Sequence, residues 1–197
     1  MPRAERTMER LPQHSDPTSH ASLGHGHGHG HASASAHHDL FPPPIRNMPD
    51  GNGFDFHIYF LQNNHRSVKS IKALHGSFRR AFPLTRMYPI QARPGGPHTA
   101  GMFEVNACTP AELGAVFAWL VVNRGEHSVL IHPHVGNAVK EHTALATWMG
   151  QPFPIDTEML ESFEDAMSRG TSRADLVKMR EERQYELNAA LESLRIE

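Results

Sequence analysis

His98, Glu104, His132 and His134 all fall between Gly96 and Val135. This stretch opens Gly96-Pro97-His98, runs through Met102-Phe103-Glu104-Val105 and closes Leu130-Ile131-His132-Pro133-His134. Imidazole and carboxylate groups are the usual protein ligands of transition metals, so metal binding is the first chemistry that these residue types suggest. The competing reading is a set of polar groups on a sheet face that meets water or a second subunit. The two readings part on whether the chain folds so that the groups converge.

The elements that must position them can be read from periodicity. Phe54-Asp55-Phe56-His57-Ile58-Tyr59-Phe60-Leu61 is aromatic and β-branched and ends at Gln62-Asn63-Asn64, which predicts a strand and a turn. Val68, Ile71, Leu74, Phe78 and Phe82 recur at spacings of three and four, predicting a helix over 67–82 that Pro83 stops. A second strand over 85–91, the turn Arg93-Pro94-Gly95-Gly96-Pro97 and a third strand over 98–106 form a hairpin. Thr109-Pro110-Ala111-Glu112 combines an N-cap hydroxyl, a first-turn proline and a capping glutamate, so a helix starts there. It carries Leu113, Val116, Phe117, Leu120 and Val121 and ends at Asn123-Arg124-Gly125, before a fourth strand over 128–134.

The order β-α-β-β-α-β predicts an α+β, ferredoxin-like domain: a four-stranded antiparallel sheet, in the order four, one, three, two, with two helices on one face and the other face open. Residues 138–156 read as a short helix and a Pro-rich connection, Gln151-Pro152-Phe153-Pro154, that could lie over a sheet edge. Residues 157–197 read as a helical extension, interrupted near Gly170 and restarting at Ser172. Its narrow apolar stripe of Leu176, Met179, Leu187, Leu191 and Leu194 suits a helix that docks lightly.

Side chains alternate across a strand, so parity sorts the candidates. Phe54, Phe56, Ile58 and Phe60 point to the helices, and Asp55, His57 and Tyr59 to the open face. Phe103, Val105, Val129 and Ile131 go inward, while His98, Met102, Glu104, Leu130, His132 and His134 go outward. The fourth, first and third strands are neighbours in this order, so His132, His57 and Glu104 can converge on one ion. Two histidines and a carboxylate with open coordination positions is the set used by non-haem Fe(II) oxygenases. Arg124 could grip a substrate carboxylate with its planar fork, or merely bond the helix C-terminal carbonyls. Tyr59, on the open face, is the other candidate for substrate binding. His142, in Lys140-Glu141-His142-Thr143, could act as acid or base over the site or be a plain surface residue.

Composition narrows the partners. A net charge of −2 and a pI near 6.8 give no broad attraction to nucleic acid or anionic membrane. The single Cys108 makes no internal disulfide, the N-terminus lacks a secretory apolar region, and no segment has roughly 20 apolar residues, so a cytoplasmic protein is expected. Residues 1–53 are rich in Pro, Ser, Gly and His without periodicity and are expected to be disordered. Within them His25-Gly26-His27-Gly28-His29-Gly30-His31 and His37-His38 could bind Zn, Ni or Cu, or be a tract under no structural constraint.

Phe56-His57-Ile58-Tyr59-Phe60, Gly96-Pro97-His98, Met102-Phe103-Glu104-Val105, Asn123-Arg124-Gly125 and Leu130-Ile131-His132-Pro133 together resemble the DOPA 4,5-dioxygenase family, over about residues 54–156. The resemblance implies a ferredoxin-like domain, often homodimeric, that opens the catechol ring of L-DOPA with O2 and non-haem Fe(II), an extradiol cleavage whose product cyclises to pigment precursors. It implies that His57 and His132, with His98 or Glu104, bind Fe(II), and that His98 or His142 manages protons. Family members often carry His-x-His in the first strand, where this chain has Asp55 in the first position. The alternative from another class is a non-enzymatic ferredoxin-like module that binds a small molecule or metal, with the His-rich tail as a metal buffer.

Overall fold

The strand that carries His57, β1 (Phe54–Phe60), lies in the middle of the sheet and is hydrogen-bonded along both edges. On one side it meets β3 (Gly101–Ala107), with His57 opposite Glu104; on the other it meets β4 (Val129–Pro133), with Asp55 opposite His132. β2 (Arg86–Met87) flanks β3 and β5 (Thr147–Met149) flanks β4, giving the antiparallel order β2-β3-β1-β4-β5. The computed structural model describes residues 39–193; the histidine-rich tract, His37-His38 and Leu194 lie outside them.

The apolar face forms as parity requires. Phe56, Ile58, Phe103, Val105 and Val129 are fully buried against Ile71 and Phe78 of α1 (His65–Ala81) and Val116 and Leu120 of α2 (Pro110–Asn123). Local chemistry sets the helix ends: Asn64 accepts from the Ser67 amide to cap α1, Thr109 accepts from the Glu112 amide to cap α2, and Gly125 adopts φ 60° just past the α2 end. At the far end of β1 the residue opposite Phe60 is Gly101, where a Cβ would fall 2.7 Å from the Phe60 ring.

Several expectations are corrected. The sheet has five strands rather than four, because three residues after α3 (Ala138–His142) pair with β4 as β5. The second strand is two residues long, with isolated bridges from Gln91 to Met102 and from Gly95 to His98 beyond it, since Pro89 lacks the amide that a continued ladder would use. The face opposite α1 and α2 is not open. Tyr59, Ala100, Met102 and Leu130 form a second core beneath Trp148, Phe153 and Ile155. Residues 39–53 are also structured: Phe41 is buried against Phe54, and Arg46 donates its amide to the His134 carbonyl at 2.7 Å.

Beyond β5 lie α4 (Thr157–Ser168) and α5 (Arg173–Ser193), broken as expected at Gly170, φ 77°. α5 keeps Leu176 buried and leaves Val177, Met179 and Leu187 exposed, so it docks along a narrow line. No helix among the described residues is long and apolar enough to cross a membrane.

Removing the Phe56 ring empties the centre of the main core, whereas removing the Thr109 hydroxyl leaves one helix donor uncapped. Phe56→Ala is expected to cost about 3–5 kcal/mol and Thr109→Ala about 1 kcal/mol, read from urea unfolding midpoints. Equal losses would mean that the core face has been misassigned.

Candidate metal centre

Four histidines from four different segments meet beneath β1. His57 comes from β1, His132 from β4, His142 from the last position of α3, and His98 from the loop before β3. The Nε2 atoms of His57 and His132 are 3.0 Å apart. The His98 ring lies 4.3 Å from that of His57, and the His142 ring 4.2 Å from that of His132, between centroids. One ligand nitrogen each from His57, His132 and His142 lies within 4.8 Å of the others.

This geometry fits a metal ion. Two imidazole nitrogens at right angles, each roughly 2 Å from a shared ion, would be separated by roughly 3 Å, which is the spacing seen between His57 and His132. The outer nitrogens of the other two ligands are held: His142 Nδ1 by the Ala138 carbonyl at 2.9 Å and His132 Nδ1 by the Pro133 carbonyl at 3.3 Å. Such bonds place a proton on Nδ1 and leave the Nε2 lone pair free to coordinate. His57 Nδ1 is buried with no partner among the described residues, an orphaned group of the kind native proteins seldom retain without use.

Burial sets the charge state. Together with the nearby histidines, it pushes the His57 proton affinity well below the ordinary imidazole value, that of His98 to about 3 and that of His132 to about 4. His142 is lowered by burial as well. All four are therefore neutral at pH 7, the form that can donate a lone pair to a metal.

A second network flanks the first. Asp55 Oδ2 accepts from His134 Nε2 at 2.7 Å, and Asp55 Oδ1 accepts from Asn106 Nδ2 at 2.6 Å. Burial works against the Asp55 carboxylate, but the bond from His134 brings its proton affinity below the usual value, and that same bond raises His134. Asn106 Nδ2 also donates to Glu104 Oε1 at 2.7 Å. Burial first, and then the charge of Asp55, raise Glu104.

The expected site residues thus receive different places. His57 and His132 are brought together with His142; Glu104 is held by Asn106, while His98 bonds Tyr59 through Nδ1 and keeps its ring 4.3 Å from that of His57. Parity could not find His142 because it lies on a helix. Tyr59, expected to touch substrate, is fully buried, stacked on Phe153 at 5.0 Å, and its hydroxyl meets His98 Nδ1 at 2.7 Å, so it positions His98. Arg124 is the C-cap of α2 through its amide, and its guanidinium donates to the Gly125 and His127 carbonyls of the turn that leads into β4. His134, outward as parity requires, bonds Asp55 rather than joining the cluster, and Asn106 is a further polar partner on the same face.

A histidine kept neutral by burial takes up a proton on unfolding, so its stabilisation is present at neutral pH and lost as pH falls below 6.5. Each such group contributes a slope of about 1.4 kcal/mol per pH unit within its window. His134, raised by Asp55, acts oppositely: its contribution is full below 6.5 and lost as pH rises through its raised value. Five histidines, these four and His127, are lowered by burial, and below pH 6.5 His134 adds no opposing slope, so the unfolding temperature of chelator-stripped protein is expected to fall steeply from pH 6.5 toward 4. A flat profile in that range would mean that the histidines are not buried as neutral groups.

All four histidines fall inside the span that matches a known family. A sequence profile of the Dopa 4,5-dioxygenase family matches residues 54–159. An uncharacterised 21.2 kDa protein of Botryotinia fuckeliana is 39% identical over 131 residues, covering 63% of this chain and 71% of that protein. DOPA 4,5-dioxygenase of Amanita muscaria is 33% identical over 107 residues, covering 51% of this chain but only 46% of its own. A crystal structure of a candidate dioxygenase from Nostoc punctiforme is 27% identical, covers 56% of this chain and 91% of its own, and superposes with a TM-score of 0.47. With β1 through the start of α4 inside the matched span, the chain belongs to the Dopa 4,5-dioxygenase family.

Proposed function

We propose that the protein is an extradiol ring-cleaving dioxygenase that uses non-haem Fe(II) and O2 on L-DOPA or a related catechol, from a ferredoxin-like domain extended by β5. The observation that carries this reading is the cluster of His57, His132 and His142, with ligand atoms within 4.8 Å of one another, in a chain of this family. These three residues would hold the ion. The chemistry such an ion supplies when bound is a template for catechol and O2 together with stabilisation of the charge that develops.

The surrounding residues do the rest. His98 is neutral and its ring lies 4.3 Å from that of His57, and the negative charge of a bound catecholate would oppose the burial that lowers its proton affinity, letting it take a proton from a catechol hydroxyl and return it later. The Tyr59 hydroxyl assists because it can accept from His98 Nδ1 or donate to it, whichever the imidazole requires. Burial raises the Tyr59 proton affinity, so this hydroxyl keeps its own proton throughout. Trp148 and Phe153 stack on Tyr59 and exclude water from that side.

The direct test supplies Fe(II) to the full chain and presents L-DOPA and simple catechols under air. Oxygen uptake and a yellow ring-opened product are expected, and their absence for every catechol would end the dioxygenase reading. His132→Ala is expected to abolish uptake. His98→Ala is expected to lower kcat by about 10²–10⁴-fold, the range for a general acid–base group, with tyrosine-positioned proton transfer showing as an altered pH profile in Tyr59→Phe.

A further inference from the structure

Between the histidine cluster and the two C-terminal helices lies a cavity of 250 Å³. Its lining includes His98, Glu104 and Met102, together with Met159, Leu160 and Phe163 of α4 and Arg180 of α5. Pockets for drug-sized ligands span about 300–1,000 Å³, so this smaller cavity suits a compound with a single ring. The family match stops at residue 159, which leaves Arg180 and Phe163 as contributions of this chain outside that span.

Arg180 differs from its neighbours. Arg183 pairs with Asp156 at 2.7 Å, Arg169 with Asp165 at 2.8 Å and Lys178 with Glu182 at 3.7 Å. Arg180 makes no ion pair among the described residues. Its one acidic neighbour in the cavity wall, Glu104, already accepts from Asn106. Its charge nevertheless reaches into the site, where it lowers the proton affinity of both His98 and Glu104.

We propose that Arg180 is a specificity-determining residue that binds the carboxylate of an aromatic substrate whose ring lies in the cavity beside His98. The ring's identity as a catechol rests on the dioxygenase reading; the anion site does not. The guanidinium fork matches a carboxylate with two parallel hydrogen bonds, and the apolar side chains of α4 flank the ring and its linker. A neutral aromatic of the same size fills the same space but leaves Arg180 without its partner.

The test uses calorimetry on the full chain with three probes: 3-phenylpropionate, 4-methylcatechol and 3-(3,4-dihydroxyphenyl)propionate. Arg180 is exposed, so Arg180→Gln is expected to fold normally. It is expected to weaken both carboxylates by roughly 10- to 100-fold, the cost of losing a charged hydrogen-bond partner, and to leave 4-methylcatechol unchanged. Arg180→Lys is expected to recover part of the loss, because it keeps the charge and loses the fork. The proposal is overturned if the wild-type chain binds neither carboxylate, if the variant binds them unchanged, or if all three probes weaken alike. Arg180-dependent binding of 3-phenylpropionate, with no oxygen uptake on any catechol, would uphold the anion site while ending the dioxygenase reading.

Discussion

The register of β1 is the constraint on which the rest depends. It is paired on both edges, so its alternation is fixed twice, by β3 and by β4. Phe56 and Ile58 cannot enter the main core without Asp55, His57 and Tyr59 facing the other way. A slip of one residue would exchange the two sets, placing a carboxylate and an imidazole among Phe78, Val116 and Leu120. Core stability and site geometry are therefore one specification, and the apolar side enforces the polar one.

That arrangement would be costly if the polar side were unsatisfied, because buried polar groups without partners destabilise a fold. The chain resolves this by dividing the row. Asp55 is saturated by His134 and Asn106, and Tyr59 by His98, so the groups flanking His57 have partners of their own. Charge is gathered in the Asp55–His134 pair, while His57, His132, His142 and His98 are held neutral by burial. The outcome is a set of lone pairs for which Asp55, two residues from His57, does not compete.

Much of this was legible in the sequence because it follows from period. Alternation assigned the faces of β1, β3 and β4, and the pattern Thr109-Pro110-Ala111-Glu112 located the start of α2 within the chemistry that forms it. What parity conveys is direction, and it is silent about depth. Tyr59 and His57 point the same way, yet Phe153 and Trp148 cover Tyr59 and seal it from substrate. His142 obeys a helical period and so never entered a strand-based count. β5 is three residues long, too short for alternation to register, and its pairing is decided by where α3 delivers it beside β4. Direction and strand order place Glu104 beside His57, but Asn106, two residues along the same strand and face, donates to it.

Asp156 shows how the C-terminal segments are tied to the site. Its amide donates to the Pro97 carbonyl at 2.9 Å, next to His98; its Oδ1 caps α4 by accepting from the Met159 amide at 3.0 Å; its Oδ2 accepts from Arg183 of α5 at 2.7 Å. The adjacent Ile155 bridges His98 itself. An exposed ion pair such as Asp156–Arg183 contributes little to stability, about 0–1 kcal/mol, so its weight is geometric: it sets where α5 lies. The loop that carries His98 and the two helices that wall the cavity are thus indexed to a single residue. Since α5 buries Leu176 and leaves Val177, Met179, Tyr185 and Leu187 exposed, the wall carrying Arg180 is held by far less apolar contact than the sheet it faces.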